Sequence, residues 1–478
     1  MINPDGNTVV AIIGGGFTGG AVAWQLARNP ALSRLRIVVF EPRDKLGAGL
    51  AYDTSDPVHR INVPATRMSL DPTDQEHFSR WIEKTGAVSG DIGVTAGDGQ
   101  LFPQRQVFGA YVNSHIRPFI ESGRIEHIRN RIERLTRHGA GWVVESDDGM
   151  QLEADLVVIA TSHPSPAAPR TLVSILEGHP RFVADATVPD ALHAIRPDDT
   201  VLLVGNGLTS ADVIASLVQN GHRGKITSIS RRGLRSRGHA PVPQEPYGDF
   251  TSRPILSARH LTRRIREAIR EAAIFDVSWH AVIDAVRAQG QDIWKNLPIA
   301  ERKKIVRHLR PFWDVHRFRI APQVENALVE TAKHGQLETL AASVGVISYH
   351  EGRIRGALKL ARRKGSIIRD FDALIVTTGP AHGSILESQQ FLEELAAKGL
   401  IASDPAHLGI ACNRNSQALD QEGRAVPDLY IAGPLARGTF GELMGLPQVS
   451  EHAAEVARQV AEAIEQAGSV TKLASDAA

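Results

Sequence analysis

Two glycine turns, about 190 residues apart, each follow a short apolar run. The first, Gly14-Gly15-Gly16-Phe17-Thr18-Gly19, comes after Val9–Ile13. The second, Gly205-Asn206-Gly207-Leu208-Thr209-Ser210, comes after Val201–Val204. In such a turn the first glycine allows the sharp bend, the second lets a pyrophosphate approach the backbone, and the third lets helix and strand pack closely. The helix that follows aims its N-terminal N–H groups at the phosphates; in the first unit it is expected over Gly20–Arg28. One such turn is weak evidence. Two, each on a strand–turn–helix pattern, predict an α/β chain with two Rossmann-like, doubly wound dinucleotide-binding domains.

The residue after the second strand of each unit predicts which nucleotide is held. In the first unit Ile37–Phe40 ends in Glu41, 22 residues past Gly19, with Pro42 and Arg43 next. An acid about 20 residues past the turn accepts hydrogen bonds from ribose hydroxyls and repels a 2′-phosphate. That suits FAD or NAD. In the second unit Ser210 takes the third glycine position, so helix and strand are expected slightly further apart. Its strand Ile226–Ile229 ends in Ser230-Arg231-Arg232, without an acid. Arginine makes paired hydrogen bonds to phosphate, so the second site is expected to prefer NADPH. A merely solvated basic turn is the blander reading of Arg231 and Arg232.

The chain of 478 residues is long enough for two or three domains and a large core. A net charge of +1 provides no global field for nucleic acid or membrane. No basic region precedes the first apolar run, and no apolar stretch approaches the ~20 residues of a spanning helix, so a cytoplasmic protein is expected. The one cysteine, Cys412, excludes a disulfide within the chain and paired-thiol redox chemistry. It reads as an inert small hydrophobe.

Residues 1–165 read as the first part of an FAD domain, with Asp155–Ser162 as a buried exit strand and a Pro-rich hinge from His163 to Pro169. Residues 166–371 read as an inserted NADP domain that carries a helical insertion at about 251–340. Residues 372–478 read as the closing part of the FAD domain. There the run from Asp372 to Pro380 repeats the exit-strand pattern and returns the chain. Leu429–Ala432 is a strand, Gly433-Pro434 a turn and Gln448–Gln466 a helix, frayed from about Gly468. That last helix is expected to aim its positive end at the flavin ring.

Several stretches resemble the bacterial FAD/NAD(P)-binding proteins called YdhS-like, themselves similar to flavin-dependent N-hydroxylating and Baeyer–Villiger-type monooxygenases. The matching segments are Gly47-Ala-Gly-Leu-Ala-Tyr52, His59-Arg-Ile-Asn-Val-Pro-Ala65 with Arg67-Met68-Ser69, Phe78-Ser-Arg-Trp81, Phe102-Pro-Gln-Arg105 and Phe108-Gly109-Ala-Tyr111. Further along come Gly207-Leu-Thr209, Asp212, Gly221-His-Arg-Gly224, Ser230-Arg-Arg-Gly-Leu234, His239, Gly433-Pro434, Gly438, Glu442 and Pro447. The resemblance touches nearly the whole chain, most weakly at 251–340. The Phe-x-Gly-x-x-x-His-x-x-x-Trp motif of Baeyer–Villiger enzymes is missing before the second turn, so ketone oxygenation is not expected.

The chemistry this implies is reduction of FAD by NADPH, reaction with oxygen to a C4a-hydroperoxide, and hydroxylation of a small polar metabolite such as an amine or amino acid. The open alternatives are an NADPH-dependent flavin dehydrogenase without oxygen insertion and a non-enzymatic flavin-binding sensor. Asn62, Arg67, Met68, Ser69 and Arg105 are the candidates for the wall around the flavin ring, with Asn62 and Arg105 as the catalytic candidates. For Asn62 the rival reading is a turn residue before Val63-Pro64, and for Met68 a core filler. Gly433, Pro434 and Glu442 join the cofactor set. The basic stretch Arg302 to Arg319, interleaved with Phe312, Trp313 and Phe318, reads as a helix with a solvated basic face and an aromatic core stripe. One or two of its arginines are candidates for holding a substrate carboxylate, and nucleic acid is not expected. His308 and His316 have no partner at metal-ligand spacing, so no metal is expected. A homo-oligomer is compatible with the sequence.

Overall fold

Val9–Ile13 (β1) is apolar and buried along its whole length, as a strand covered on both faces must be. The computed structural model describes residues 7–164, 166, 168–361, 365–379 and 382–476. In it β1 pairs in parallel with β2 (Arg36–Phe40), and β2 with β3 (Ile125–Ile128). The chain then forms a separate antiparallel sheet of β4 (Ile132–His138), β5 (Gly141–Ser146) and β6 (Gln151–Ala154). It returns as β7 (Leu156–Ile159) on the other side of β1.

A second sheet follows, built from β8 (Phe182–Val183), β9 (Val201–Val204), β10 (Ile226–Ser230), β11 (Leu337–His350), β12 (Arg353–Leu360), β13 (Ser366–Phe371) and β14 (Ala373–Val376). Its order is β13-β12-β11-β10-β9-β14-β8. The five strands from β8 to β11 in that order are parallel, and β12 and β13 extend the edge as an antiparallel meander. Finally β15 (Gln417–Leu419) and β16 (Ala425–Ile431) complete the first sheet, in the order β15-β16-β7-β1-β2-β3. The second sheet is thus inserted within the first in chain order.

One expectation needs correction. The sequence reading sends the run after Asp372 back to the first domain, but β14 pairs with β9 and β8 inside the second sheet. The resemblance to the exit strand is an equivalence of position in the two units. At the head of β7, Asp155 Oδ2 accepts from Val9 N at 2.8 Å. At the head of β14, Asp372 Oδ2 accepts from Thr200 N at 2.8 Å. Each aspartate pins its strand beside the one that bears the glycine turn. The return crossing therefore comes after Val376, and Pro380 lies outside the described residues, as do 165 and 167 of the hinge.

The first helix spans Phe17–Arg28 rather than starting at Gly20, because Gly20 N already bonds Gly16 O at 2.9 Å. Between β10 and β11 the chain is helical, from Ala258–Ile274 to Pro322–Lys333. The last helix runs from Gln448 to Asp476, past the expected end at Gln466. Its buried face, Ala453, Val456, Ala457 and Val460, joins the core that covers Phe17–Arg28.

Behind the first turn an aromatic cluster fills this core. Phe108 is fully buried, with ring centroids 5.7 Å from Phe17, 4.6 Å from Tyr52 and 5.1 Å from Phe78. Truncating a buried aromatic loses its transfer free energy and leaves a cavity, at about 3–5 kcal/mol. Phe108→Ala is expected to lower the urea midpoint of the first sheet's unfolding by that equivalent, followed by circular dichroism and tryptophan fluorescence. A midpoint equal to wild type would mean that this cluster does not carry the core.

Candidate functional site

The two turns separate glycines needed by the fold from glycines needed by something else. Gly14 has φ +96°, and a Cβ there would meet Ala160 O at 2.7 Å. A Cβ on Gly19 would lie 1.8 Å from Gly14 O. In the second unit Gly205 has φ +127° and faces Thr377 O at 2.6 Å. Backbone contact alone explains these three. It does not explain the middle glycines. A Cβ on Gly16 would meet only Gly49 Cα, at an ordinary 3.5 Å, and one on Gly207 nothing within 4 Å. Their φ values of −63° and −95° suit any residue. The protein leaves open space before Gly207, and before Gly16 only this ordinary contact with Gly49.

Both helices start at that open space without a side-chain cap. Their first N–H groups are therefore available to an anion. Buried polar atoms lacking a partner sit at the same places: Thr161 Oγ1 just after β7, and Asn206 Nδ2 and Ser210 Oγ in the second turn. Such atoms are rare in native structures and mark a missing ligand or water. Ser210 is 1% exposed, so the second helix leaves room for a Cβ where the first leaves none. Leu208 and Thr209 line the mouth, half-buried. Thr18 is buried against the closing segment, where a Cβ on Gly433 would meet its Oγ1 at 2.5 Å. Pro434 opens the short 3-10 turn Gly433–Ala436.

At the ends of the second strands the expected contrast is present. Glu41 is buried, and its Oε2 accepts from Gly15 N at 3.0 Å. Its Oε1 accepts from Arg43 N at 3.2 Å and Arg43 Nη1 at 3.0 Å. The carboxylate thus braces the first turn and retains acceptor capacity for hydroxyls. Pro42 is exposed beside it. In the second unit Arg231 and Arg232 are exposed at the end of β10, with Arg232 Cζ 5.5 Å from the Phe312 ring.

The residues expected to wall the flavin ring divide differently. Met68 is 2% exposed inside the first core cluster, which settles it as a core filler. The Ser69 hydroxyl donates to the carbonyls of Asp71 and Asp74, both at 2.7 Å, so it fastens its own loop. Arg105 donates to Arg60 O at 2.9 Å and to Asp212 Oδ2 at 2.8 Å. It therefore links the first half to helix Leu208–Gln219 of the second, a structural bond where chemistry was expected. Asn62 is half-buried, and its carbonyl accepts from His239 Nε2 at 3.1 Å. Burial pushes His239 down to about 4, which keeps the ring neutral and its Nε2–H a donor. Arg67 stands 3.7 Å from Asp284, which Arg319 grips at 3.0 and 3.1 Å.

Glu442, a candidate cofactor contact by sequence, is engaged by protein. It is buried and pairs with Arg317 Nε. Burial would raise its carboxyl, but Arg317, Arg287 and Arg437 hold it below the usual carboxylate range. Burial pulls the Arg437 guanidinium down to about 10. The solvated basic face read for 302–319 holds at Lys303, Lys304 and Arg307, which are exposed, and is corrected at its C-terminal end. Arg317 and Arg319 are buried, while Phe312 is 46% exposed. Arg287 and Arg437 escaped the sequence reading altogether, because a lone arginine among apolar neighbours carries no local signal. Cys412 is buried, and burial pushes its thiol up to about 12, so it stays protonated and inert.

Residues 11–164 match the family model described as FAD-NAD(P)-binding. No curated protein matches the chain in sequence. Solved structures with a similar fold include the reduced form of ornithine hydroxylase from Pseudomonas aeruginosa, at TM-score 0.64 and 13% identity over 96% of this chain and 99% of that one. The ornithine N-hydroxylase of Kutzneria sp. 744, solved with reduced FAD, NADP+ and L-ornithine, gives 0.64 at 15% identity over 95% and 99%. The FAD-bound cadaverine monooxygenase of Erwinia amylovora gives 0.63 at 14% over 95% and 94%. The chain has the two-dinucleotide-domain fold of these hydroxylases along nearly its whole length, and its first third matches the FAD-NAD(P)-binding model.

Proposed function

We propose that this protein is an FAD- and NADPH-dependent monooxygenase that hydroxylates a small polar metabolite bearing an amine. The observation that carries the reading is the open space before Gly16 and Gly207, with uncapped helices and unpartnered buried atoms around it. Two dinucleotides fit there. FAD would take the Gly14–Gly19 turn, with Glu41 on its ribose, Arg43 beside it, and Gly433 and Pro434 closing the site. NADPH would take Gly205–Ser210, with Arg231 and Arg232 on its 2′-phosphate.

Held by these residues, FAD would supply two-electron transfer from NADPH to dioxygen, the chemistry that puts one oxygen atom into a substrate and releases the other as water. The chain's part is position and electrostatics. Asn62, whose backbone carbonyl bonds His239, and Arg67, 3.7 Å from Asp284, would bring polar groups to the junction of the two halves. The ornithine and cadaverine hydroxylases that share the fold act on amines, which supports an amine substrate here. With Cys412 as its single cysteine the chain supplies no dithiol for disulfide reduction. Among the described residues no helix is long and apolar enough to cross a membrane. A cytoplasmic enzyme, working on a small molecule and oxygen, is the setting we infer.

The middle glycines provide the first test. Because the fold leaves room for a side chain at both positions, Gly16→Val is expected to fold yet purify without flavin. Gly207→Val is expected to keep its flavin and lose reduction by NADPH. Flavin absorbance and anaerobic stopped-flow reduction separate the two, and a Gly16→Val protein with full flavin content would remove FAD from the first turn.

Cofactor choice is the second test. A charge-assisted hydrogen bond contributes about 1.5–3 kcal/mol, which is roughly 10- to 100-fold in affinity. Arg231→Ala/Arg232→Ala is expected to lower kcat/KM for NADPH by at least that factor while leaving NADH nearly unchanged. An unchanged NADPH/NADH ratio would take the 2′-phosphate away from these arginines. Oxygen is the third. Without substrate, NADPH oxidation is expected to be slow, to consume oxygen and to release hydrogen peroxide. If reduced protein meets oxygen with no change in its spectrum, with or without added amines, it is a dehydrogenase.

A further inference from the structure

Arg231 and Arg232 are the two central residues of a tight turn that closes β10, and their side chains stand in different surroundings. The backbone of the turn is fixed. Gly233 N donates to Ser230 O at 3.1 Å, and the Ser230 hydroxyl donates to Leu234 O at 3.3 Å. Gly233 has φ +65°, and a Cβ there would lie 3.0 Å from the side chain of Ala341 on β11. Both arginine side chains are exposed.

Just past the turn the chain is bonded to the helical insertion. Arg237 N donates to Val315 O at 2.9 Å, and Ile320 N donates to Arg237 O at 2.9 Å. These two bonds pin helix Arg310–Arg317 to the segment that leaves the arginine turn. Phe312 precedes Val315 on that helix by about one turn. Its ring meets Arg232, whose Cζ lies 5.5 Å from the ring centroid. Phe312 is 46% exposed, so the ring is not held there by burial in a core. Arg231 makes no hydrogen bond, ion pair or ring contact among the described residues.

A cation over an aromatic face is attracted by the ring quadrupole, and at an exposed site the attraction is modest. Its weight here is in position. Arginine gives up rotamer freedom when it grips a phosphate, and a side chain already held against a ring has lost part of that freedom before the ligand arrives. The ring contact is not a hydrogen bond, so the five N–H donors of Arg232 stay available for paired bonds to a phosphate.

We propose that the helical insertion completes the 2′-phosphate site of the second unit. Phe312 is a positioning residue that holds Arg232 in place, and Arg232, rather than Arg231, carries the choice of NADPH over NADH. This rests on the assignment of NADPH to Gly205–Ser210 made above. It goes beyond that assignment in giving the two arginines unequal weight and in making nucleotide choice depend on a ring from the insertion.

The test is calorimetric titration of the oxidised, flavin-loaded full chain with NADP+ and with NAD+, which differ only in the 2′-phosphate. Wild type is expected to bind NADP+ more tightly. Arg232→Ala is expected to lower the NADP+/NAD+ affinity ratio about 10- to 100-fold, as loss of a charge-assisted bond does, and Arg231→Ala by less. Phe312→Leu keeps an apolar side chain without the ring quadrupole and is expected to lower the ratio about 2- to 5-fold. Phe312→Tyr, which restores a ring, is expected to match wild type. On the Arg232→Ala background Phe312→Leu is expected to change nothing further, because the ring then has no guanidinium to hold. A ratio unchanged in Phe312→Leu, NADP+ and NAD+ weakened alike by it, a loss still present in Phe312→Tyr, a further loss on the Arg232→Ala background, or an Arg231→Ala effect as large as that of Arg232→Ala would each overturn the proposal. Wild type that prefers NADP+ while Phe312→Leu keeps the full ratio overturns the role of the insertion alone. Wild type that binds both nucleotides equally overturns the NADPH assignment, and the proposal with it.

Discussion

The approach of one helix to one strand sets the rest of this molecule. Gly19 sits so close to the carbonyl of Gly14 that no Cβ fits between them, and Gly14 in turn lies against the end of β7. This contact presses helix Phe17–Arg28 onto the sheet and points its uncapped start at the open space before Gly16. It also brings Phe17 into the aromatic cluster around Phe108 and fixes the face on which the last helix packs. The second turn is built to a looser gauge, with Ser210 where Gly19 would be. The same topology thus presents two sites that differ in how tightly the helix is held.

The seam between the halves is polar. Asp56 accepts from Ser216 at 2.6 Å, Ser216 meets His59 at 3.2 Å, and Arg105 reaches Asp212 at 2.8 Å. Arg319, Asp284 and Arg67 extend the seam into the helical insertion. These directional bonds define a relative orientation beside an apolar contact, in which Phe102 of the first half is buried in the core of the second sheet. They also explain why Arg105 serves the architecture. Its guanidinium is committed on both sides, to Arg60 and to Asp212, before any ligand arrives.

The helical insertion does more than cap the second sheet. Trp294 donates to Gly438 O at 2.8 Å, and Arg287 and Arg317 reach Gln448 and Glu442, so the insertion grips the closing segment of the first domain. Charge that reads as solvated in the sequence is buried there, which leaves donors unsatisfied beside the segment that closes the first site.

The sequence by itself determined the two strand–turn–helix units, the acid at Glu41 against the arginines at 231 and 232, and the inert character of Cys412. These are local properties: a turn, a helix start and the residue after a strand depend on neighbours within about 25 positions, and spacing records them. Tertiary structure alone decided the rest. It placed Ala373–Val376 in the second sheet, because two similar runs each beginning with aspartate read alike until their partners, Val9 and Thr200, are known. It turned Met68 into core, Ser69 into a loop fastener and Arg105 into a bridge. It assembled Arg287, Arg317, Arg437 and Glu442 from positions more than 150 residues apart at the extremes. Burial and pairing of charge are properties of the packed chain, and periodicity in one dimension does not record which distant side chains will meet.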